Sequence, residues 1–485
     1  MNADYFLAAF GLYIVFLIAI GWFVSRHQKS GDDFLLAGRS LPIFLTVGTT
    51  VATMVGTGSS MGAVGFGYGH GWGGALYGVG GAVGILLLGI LFAPVRAQRF
   101  STMSEELASY VGDQPLVKKV VALLIFIACL GWLGAHILGG SLYLAWIAGI
   151  DLQLAKLLVA LGFAVFVVIG GYHAVVWTDT LQALVLFTGF MLMAGFALHQ
   201  VGGWEAMLAA QPASHRNPLA ADSIGLLPSI SLAVVIAVGV LATPSFRQRI
   251  YSARSVASVR RSFFISGSLY LGFSLVPAII GMCAYVLSPE LDNRNYAFPF
   301  LAIEVLPLTI GLIVLLAGLS ATMSSASSDA IAGVSILVRD FSRDFSRPPA
   351  RKPAPNPAQP ETGASDSIRR SRIGLVLVIG AALGLAMLSD DLIGYIGKMI
   401  STVMAGLFVC GMLGRFWPRY TWQGALASLL AGAMASILVM VTANEYWGNP
   451  ILPAVFAALV AGVLVSLVTG APRAVVESDP EFDAG

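Results

Sequence analysis

A cluster of serines lies late in a long apolar stretch of the chain, where Ser324, Ser325, Ser327 and Ser328 fill four of five consecutive positions. A hydroxyl surrounded by hydrocarbon is costly unless it finds a partner, and its natural partners are another helix, a water-filled cavity or a dehydrated cation. Asp179, at the start of a different apolar stretch, could supply a negative charge. Oxygen ligands without a thiolate suit a small hard cation. These residues therefore predict a cation site inside a membrane.

The serines form two overlapping arcs when the segment is wound as an α-helix at about 100° per residue. The first arc holds Ala321, Ser324 and Ser325, and the second holds Ser324, Ser327 and Ser328. One helix could therefore serve two neighbouring ions that share Ser324. The alternative is that the small side chains only allow close packing against another helix.

A second candidate feature is the run ATMVGTGSSMG, which begins at Ala52 in another apolar stretch. Gly56 and Gly58 flank Thr57, and two glycines so close together weaken a helix. A broken membrane helix exposes backbone carbonyls, which are tolerated only where they line a cavity or coordinate an ion. We predict a break here. The alternative is close helix packing, which the spacing of Gly58 and Gly62 also fits.

Three further side chains have two interpretations each. Asp179 is a functional candidate because carboxylates inside membranes usually are, but a helix dipole also favours a carboxylate at a helix start. Trp132 and His136 lie one turn apart and could face a substrate cavity, although a single histidine in a span often bonds to a neighbouring helix. The sequence contains no HExxH motif and no convincing pair of carboxylates, so we do not predict an enzyme.

These residues must be positioned by membrane helices. The chain has 485 residues, of which 57% are hydrophobic and only 11% are charged, whereas a soluble globular protein carries roughly 25% charged residues. A membrane-spanning helix needs about 20 mostly apolar residues. We predict an all-α polytopic membrane protein with about thirteen transmembrane helices, at residues 5–24, 42–66, 73–95, 119–149, 154–170, 175–199, 226–244, 263–288, 299–338, 373–388, 392–413, 421–442 and 451–470.

Charge predicts the orientation of these helices. Most of the 27 Lys and Arg residues fall in every second loop, and positively charged loops stay in the cytoplasm. The N-terminus is therefore expected outside and the C-terminus inside, in the inner (plasma) membrane. Residues 339–372, rich in Pro, Arg and Ser, predict a flexible cytoplasmic loop. The three cysteines lie inside apolar segments, which predicts neither a disulfide framework nor a metal site.

Four strings resemble the sodium/solute symporter family: Gly38-Arg39, the run GGYHAVVWTD from Gly170 to Asp179, Gln248-Arg249, and the run ATMSSASSD from Ala321 to Asp329. The resemblance implies a leucine-transporter-like inverted-repeat core of five plus five helices. This core would span residues 42–413, with one repeat at 42–199 and the other at 226–413. Residues 1–41 would form a first helix and loop, and residues 414–485 would form two peripheral helices and a tail.

The resemblance also implies ion ligands. The family's main sodium site corresponds here to the broken helix and the serine helix, at Ala52, Val55, Ala321, Ser324 and Ser325. A second sodium, present in some members, would use Asp179, Ser324, Ser327 and Ser328. Sodium would thus be the coupling ion, and the bilayer and a small molecule would be the other partners.

The substrate positions implied by the resemblance are Met54, Thr57, Gly58 and Thr243, together with Trp132 and His136. No acid or amide follows the break, so no substrate is named. Choline is not predicted, because a quaternary ammonium needs an aromatic cage and only Trp132 stands where its aromatic residues are expected. We expect sodium-coupled symport of a small polar organic solute into the cell by alternating access. A proton-coupled or uncoupled transporter of the same fold is the alternative, and a membrane sensor is a more distant one. Oligomeric state is not predicted.

Overall fold

The computed structural model describes residues 3–26, 28, 30–341, 364–388 and 392–470, and the regular elements in them are helices. The first half of the chain holds α1 (Ala3–Ser25), α2 (Gly31–Leu36), α3 (Ile43–Met54), α4 (Ala63–His70), α5 (Ala75–Phe92), α6 (Met103–Ser109), α7 (Pro115–Ala148), α8 (Leu152–Gln200), α9 (Trp204–Ala209), α10 (Ala221–Ile224) and α11 (Leu226–Ala242). The second half holds α12 (Pro244–Ser252), α13 (Val256–Phe273), α14 (Leu275–Leu287), α15 (Ala297–Phe300), α16 (Leu308–Ile336), α17 (Ala364–Met387), α18 (Leu392–Phe416), α19 (Trp422–Thr442), α20 (Asn444–Trp447) and α21 (Ile451–Thr469).

Short 3₁₀ and π stretches join or extend these helices. The 3₁₀ stretches are Ala37–Arg39, Gly71–Gly74, Ala93–Gln98, Ala213–Arg216 and Arg294–Tyr296, and the π stretches are Gly58–Gly62, Leu301–Val305 and Leu337–Phe341.

Nine helices in the described part of the chain are long and apolar enough to cross a membrane, or ten if the bent pair α11 and α12 is one span. The all-α membrane architecture is confirmed, but the count of thirteen is not. Two predicted spans, 154–170 and 175–199, lie within the 49-residue helix α8. At 1.5 Å per residue that helix is too long for one crossing of a bilayer about 30 Å thick. Gly171, with φ 54° and ψ −157°, divides it into two stretches.

The predicted loop at 339–372 is wrong at its C-terminal end, because α17 already begins at Ala364. The first turns of α17 carry Asp366 and three arginines, so they continue the helix before the apolar run starts. Hydropathy detects only the apolar part of such a helix, so the start of α17 was predicted too late in the chain. Residues 342–363 of the predicted loop lie outside the described residues.

Two spans are broken near their middle. The helix α3 ends at Met54, Val55 has φ −82° and ψ 63°, and the chain continues as a π stretch into α4. The second break joins α11 to α12 at Thr243, with a bend of 45°. Pro244 is the first residue of α12, a position where its missing N–H costs nothing and its fixed φ suits the helix. We predicted the first break and not the second.

The serine helix α16 lies in the interior of the protein. It packs mainly against α7 and α8, and it also contacts α3 and α12. Every residue from Ala317 to Ile336 is buried, so its hydroxyls face protein and not lipid. The half-helix α12 is buried along its whole length and inserts between α3, α6 and α16. The Arg96 guanidinium contacts the carbonyls of Arg39 and of Ala253, the residue that follows α12. This end of the bundle, which also holds Arg247 and Arg249 of α12, is here called the basic end.

Candidate functional site

The broken end of α3 meets the serine helix through hydroxyl-to-carbonyl contacts. The Ser324 hydroxyl donates to the carbonyl of Ala52 at 3.0 Å and contacts that of Ala321 at 3.2 Å. The Ser325 hydroxyl lies 3.0 Å from the carbonyl of Thr53 and 3.2 Å from that of Ala321. Three carbonyls and two hydroxyls thus converge between α3 and α16. We call this group, Ala52, Thr53, Ala321, Ser324 and Ser325, the first oxygen cluster.

The members of the predicted first sodium set come together here, apart from Val55, which follows the end of α3. The carbonyl of Thr53 was not in that set. Which carbonyl faces α16 depends on where α3 unwinds, so the sequence did not predict this one. A serine hydroxyl has one proton and two lone pairs and can rotate. It can therefore donate to a carbonyl, as here, or turn a lone pair toward a cation.

Asp179 lies in a second, charged cluster closer to the basic end. It is fully buried on α8, and its Oδ2 accepts from Thr49 Oγ1 at 2.6 Å and from Ser328 Oγ at 3.2 Å. Ser327 interacts with the same carboxylate and also donates to the carbonyl of Ser324 at 2.9 Å. The predicted second sodium set is therefore contiguous, and Ser324 lies between the two clusters. Asp179 Oδ1 is buried with no hydrogen-bond partner in the described part of the chain.

A guanidinium group already occupies the middle of this charged cluster. Arg249 Nη2 lies 3.6 Å from Asp179 Oδ2, 2.8 Å from Thr49 Oγ1 and 2.9 Å from Ser328 Oγ. It also bonds to the hydroxyl of Thr53. Arginine matches several oxygens at once through its fixed fork of N–H groups. The sequence string Gln248-Arg249 was noted, but a partner more than 70 residues away could not be read from it.

A cavity opens beside these clusters, between the two broken spans and α7. It contains about 510 Å³ of space that no atom fills, part of which is open to the surroundings. Five of the six predicted substrate residues line it: Met54, Gly58, Trp132, His136 and Thr243. The sixth, Thr57, contacts His136. The walls are completed by aromatic and aliphatic side chains and by small polar groups: Thr53, Gly56, Tyr77, Val235, Ile236, Gly239, Val240, Ser245, Phe246 and Asp329.

The polar part of this cavity is a chain of three side chains. His136 Nε2 lies 3.4 Å from Asp329 Oδ2, and His136 Nδ1 lies 3.0 Å from Thr57 Oγ1. A neutral imidazole with its proton on Nε2 satisfies both contacts. Trp132 stacks beside His136, with ring centroids 6.0 Å apart and planes 16° apart. No acid follows the break in α3, as the sequence indicates, but Asp329 brings a carboxylate to the cavity from α16.

Asp329 could have been found from the sequence. It follows Ser325 by four residues, so the two side chains lie on the same face of α16. Only residues after the break in α3 were examined for an acid, and Asp329 lies on a different helix, α16.

Comparison with known proteins gives a consistent result. The model of the Sodium:solute symporter family matches residues 34–432. The Sodium/glucose cotransporter of Vibrio parahaemolyticus is 25% identical over 475 residues, covering 88% of this chain and 83% of that protein. The Sodium/pantothenate symporter of Escherichia coli K12 is 25% identical over 435 residues, covering 86% and 87%. Rat Solute carrier family 5 member 4 is 24% identical over 363 residues, and the match spans only 54% of that longer protein.

Solved structures share the fold. A sodium-coupled sialic acid symporter, in a substrate-bound outward-open state, superposes with a TM-score of 0.83 at 17% identity, covering 97% of this chain and 98% of that one. Mhp1, a nucleobase-cation-symport-1 family transporter in a closed conformation, gives a TM-score of 0.53 at 14% identity, covering 91% and 96%. At these identities the likeness concerns the fold alone.

Proposed function

This chain belongs to the sodium:solute symporter family, and from that membership we propose that a sodium ion in the first oxygen cluster couples solute import to the sodium gradient. The protein is a secondary transporter of the membrane, driven by sodium. The proposal assigns the ion to Ala52, Thr53, Ala321, Ser324 and Ser325. The observation that carries it is the meeting of hydroxyls from α16 with carbonyls at the broken end of α3.

Sodium would stabilise the contact between α3 and α16. Each hydroxyl-to-carbonyl contact joins only two groups, whereas one ion would bind oxygens of both helices at the same time. When Ser324 and Ser325 rotate their protons away, the hydroxyl lone pairs and the carbonyls all point to one position. The ion holds α3 against α16 only while both helices are in place. Sodium binding therefore favours one of the alternating conformations, and that difference in affinity is what couples the ion to the solute.

The charged cluster would take a second sodium only after a rearrangement. Arg249 Nη2 contacts two of the oxygens, from Asp179 and Ser328, that such an ion would need. Two cations cannot share those oxygens at these distances without strong repulsion. We infer that Arg249 and a second ion exclude each other at Asp179. In the arrangement described here, Arg249 supplies the charge.

The basic end is assigned to the cytoplasm by the positive-inside rule. With that orientation, α3 runs outward to its break and α11 runs inward to its own, as an inverted repeat requires. The cavity lies between the two breaks and is the proposed site for a small organic solute. The membrane potential adds about 2.3 kcal/mol per charge per 100 mV to inward movement.

The test is the sodium dependence of thermal unfolding in the purified full-length protein. Sodium that binds only the folded state raises the unfolding temperature, by an amount that grows with its concentration over its dissociation constant. We expect sodium but not potassium to stabilise the wild type. Ser324→Ala combined with Ser325→Ala should raise the sodium concentration needed at least about tenfold, equal to ~1.4 kcal/mol.

Ser262→Ala is the matched control. Its hydroxyl is buried on α13 and donates at 2.6 Å to the carbonyl of Ser258, within its own helix. This variant loses the same group at a distance from the oxygen cluster and should keep the wild-type sodium response. A double serine variant that responds to sodium like the wild type would contradict the assignment.

A further inference from the structure

The buried carboxylates of the protein differ in whether a permanently charged cation lies beside them. Four are buried in the described residues, and three of them have a permanent cation as partner: Glu106 with Arg247 at 3.0 Å, Asp179 with Arg249 at 3.6 Å, and Asp340 with Lys118 at 3.5 Å. For the fourth, Asp329, the basic partner within the described part of the chain is His136, at 3.4 Å. Asp329 is also the only carboxylate among the described residues that line the cavity.

His136 is not a permanent cation, unlike the Lys and Arg partners of the other three carboxylates. Its Nδ1 is 3.0 Å from the hydroxyl of Thr57, and a neutral ring that accepts there and donates from Nε2 satisfies both neighbours. A buried carboxylate without a permanent cation beside it is costly to keep ionised, and a cation that enters the cavity would stabilise its charge. No Lys or Arg is among the described residues that line the cavity. The nearby arginines of α12 are engaged with Glu106 and Asp179.

The other walls suit the same kind of ligand. Tyr77, Trp132 and Phe246 bring three aromatic rings to the cavity, next to aliphatic groups and the side chain of Met54. An aromatic face attracts an organic cation and also contacts its carbon atoms. A sugar would need many hydrogen-bonding groups around it, and these walls are mostly apolar.

We propose that the transported solute is a small organic cation, such as an amine or a quaternary ammonium compound, whose positive charge pairs with Asp329. The inference rests on the proposed function, since it takes the cavity to be the solute site. With the solute bound, Asp329 would have a cationic partner, as the other three buried carboxylates already do. Asp329 also lies on α16, four residues after Ser325, so the same helix would bear both solute and sodium.

A binding screen of the full-length protein in sodium buffer tests this. The panel pairs each cation with an uncharged analogue: choline with dimethylbutanol, and ethanolamine with ethylene glycol; it also contains glucose and acetate. The readout is thermal stabilisation in sodium relative to potassium. We expect at least one cation to stabilise the protein in sodium, with its uncharged analogue at least about tenfold weaker. If none of the cations stabilises the protein in sodium, the proposal is wrong, whatever the other compounds do.

Variants separate the carboxylate from general damage to the fold. Asp329→Asn should weaken the binding of the cation at least about tenfold and reduce its preference over the uncharged analogue. Asp340→Asn is the control, because it removes a buried carboxylate that already has Lys118 and lies outside the cavity. It should keep the preference. If Asp329→Asn keeps it too, Asp329 is not the anchor and the proposal fails.

His136→Gln tests the alternative source of charge balance. If a protonated His136 neutralised Asp329, removing the imidazole would create the preference for cations, and the wild type would lack it. We expect the wild type to show the preference already, and a preference that appears only in His136→Gln would overturn the proposal. Stabilisation by sodium alone is measured in the same samples. If sodium stabilises the protein while the cations do not, the solute class is wrong and the sodium site stands.

Discussion

Arg249 supplies the positive charge beside Asp179 in the buried charged cluster. Its guanidinium is fully buried and reaches α3, α8 and α16 through Thr49, Asp179 and Ser328. A buried carboxylate without this partner would be strongly unfavourable. A second sodium could replace the guanidinium because both are cations that bind oxygens. If a second sodium binds at Asp179, as proposed above, the Arg249 side chain acts as its internal competitor.

Removing this competitor should change the response to sodium. In Arg249→Gln, Asp179 loses its cation, so a sodium ion can bind to it without displacing a charge. We expect sodium to stabilise this variant at concentrations at least about tenfold lower than for the wild type, a difference of ~1.4 kcal/mol. Adding Asp179→Asn should abolish the gain. The measurement is a sodium titration followed by thermal unfolding.

Arg254→Gln is the matched control for this titration, since Arg254 is exposed at the end of the same segment. It lowers the net charge equally and should leave the sodium midpoint unchanged. If Arg249→Gln binds sodium no better than the control does, the guanidinium and the ion do not compete.

Among the secondary-structure elements, the interruption between α3 and α4 determines where the carbonyls of Ala52 and Thr53 lie. Gly56 allows α16 to come close at this point. A Cβ atom on Gly56 would lie 2.6 Å from Ser325 Oγ and 3.3 Å from His136 Cε1. Such a contact is too short, so either the loop or the serine must move. The absence of a side chain here is what brings the break, the serine helix and α7 together.

Gly56→Ala should therefore weaken sodium binding. The added methyl group displaces the Ser325 hydroxyl, and we expect the apparent sodium affinity to fall at least about tenfold, ~1.4 kcal/mol. Gly62→Ala is the control on the same break, because its Cβ would have only the carbonyl of Thr57 nearby, at 4.0 Å. Sodium-dependent unfolding of the two variants is compared. Equal sodium affinities would show that the close approach at Gly56 is not needed.

At the scale of the whole molecule, a buried polar network links α12 to its neighbours at the basic end. Glu106 on α6 pairs with Arg247 on α12 at 3.0 Å, and it accepts from Tyr110 at 2.9 Å and from Tyr251. The Arg247 guanidinium also lies 3.5 Å above the ring of Phe92. Gln248 donates to the carbonyl of Leu35 at 2.7 Å. Because alternating access requires each end to open in turn, α12 must leave this network when the basic end opens.

Glu106→Gln should favour opening of that end. The substitution leaves Arg247 buried without its counter-charge, and breaking one side of a buried pair costs about 3–5 kcal/mol. We expect a lower unfolding temperature and faster labelling of a cysteine placed at Thr243, in the cavity, by a membrane-impermeant thiol reagent added on the basic side. The experiment uses inside-out vesicles and a background in which the three native cysteines are replaced.

Glu105→Gln is the control for this experiment. Glu105 lies on the same short helix but is partly exposed, and its nearest cation, Lys118 Nζ, is 4.0 Å away. Exposed pairs contribute only about 0–1 kcal/mol, so labelling at Thr243 should not change. Unchanged labelling in Glu106→Gln would mean that other contacts keep the basic end closed.

The sequence by itself determined the membrane class, the break after Ala52 and the density of hydroxyls on α16. These features are local. Apolar runs of sufficient length predict spans, paired glycines weaken a helix, and a helical wheel shows which serines share a face. The same local reasoning placed Asp179 at the start of a span, and it would have placed Asp329 beside Ser325 had that face of α16 been followed one turn further.

The tertiary structure decided which of these groups meet. Arg249 is 70 residues after Asp179 and 79 before Ser328, and nothing in periodicity joins them. The choice of the Thr53 carbonyl depends on where α3 unwinds, and the pairing of Asp329 with His136 depends on how α7 packs against α16. Contacts of this kind arise from the packing of whole helices. The residues that make these contacts are far apart in the chain, so neither composition nor residue spacing predicts which of them pair.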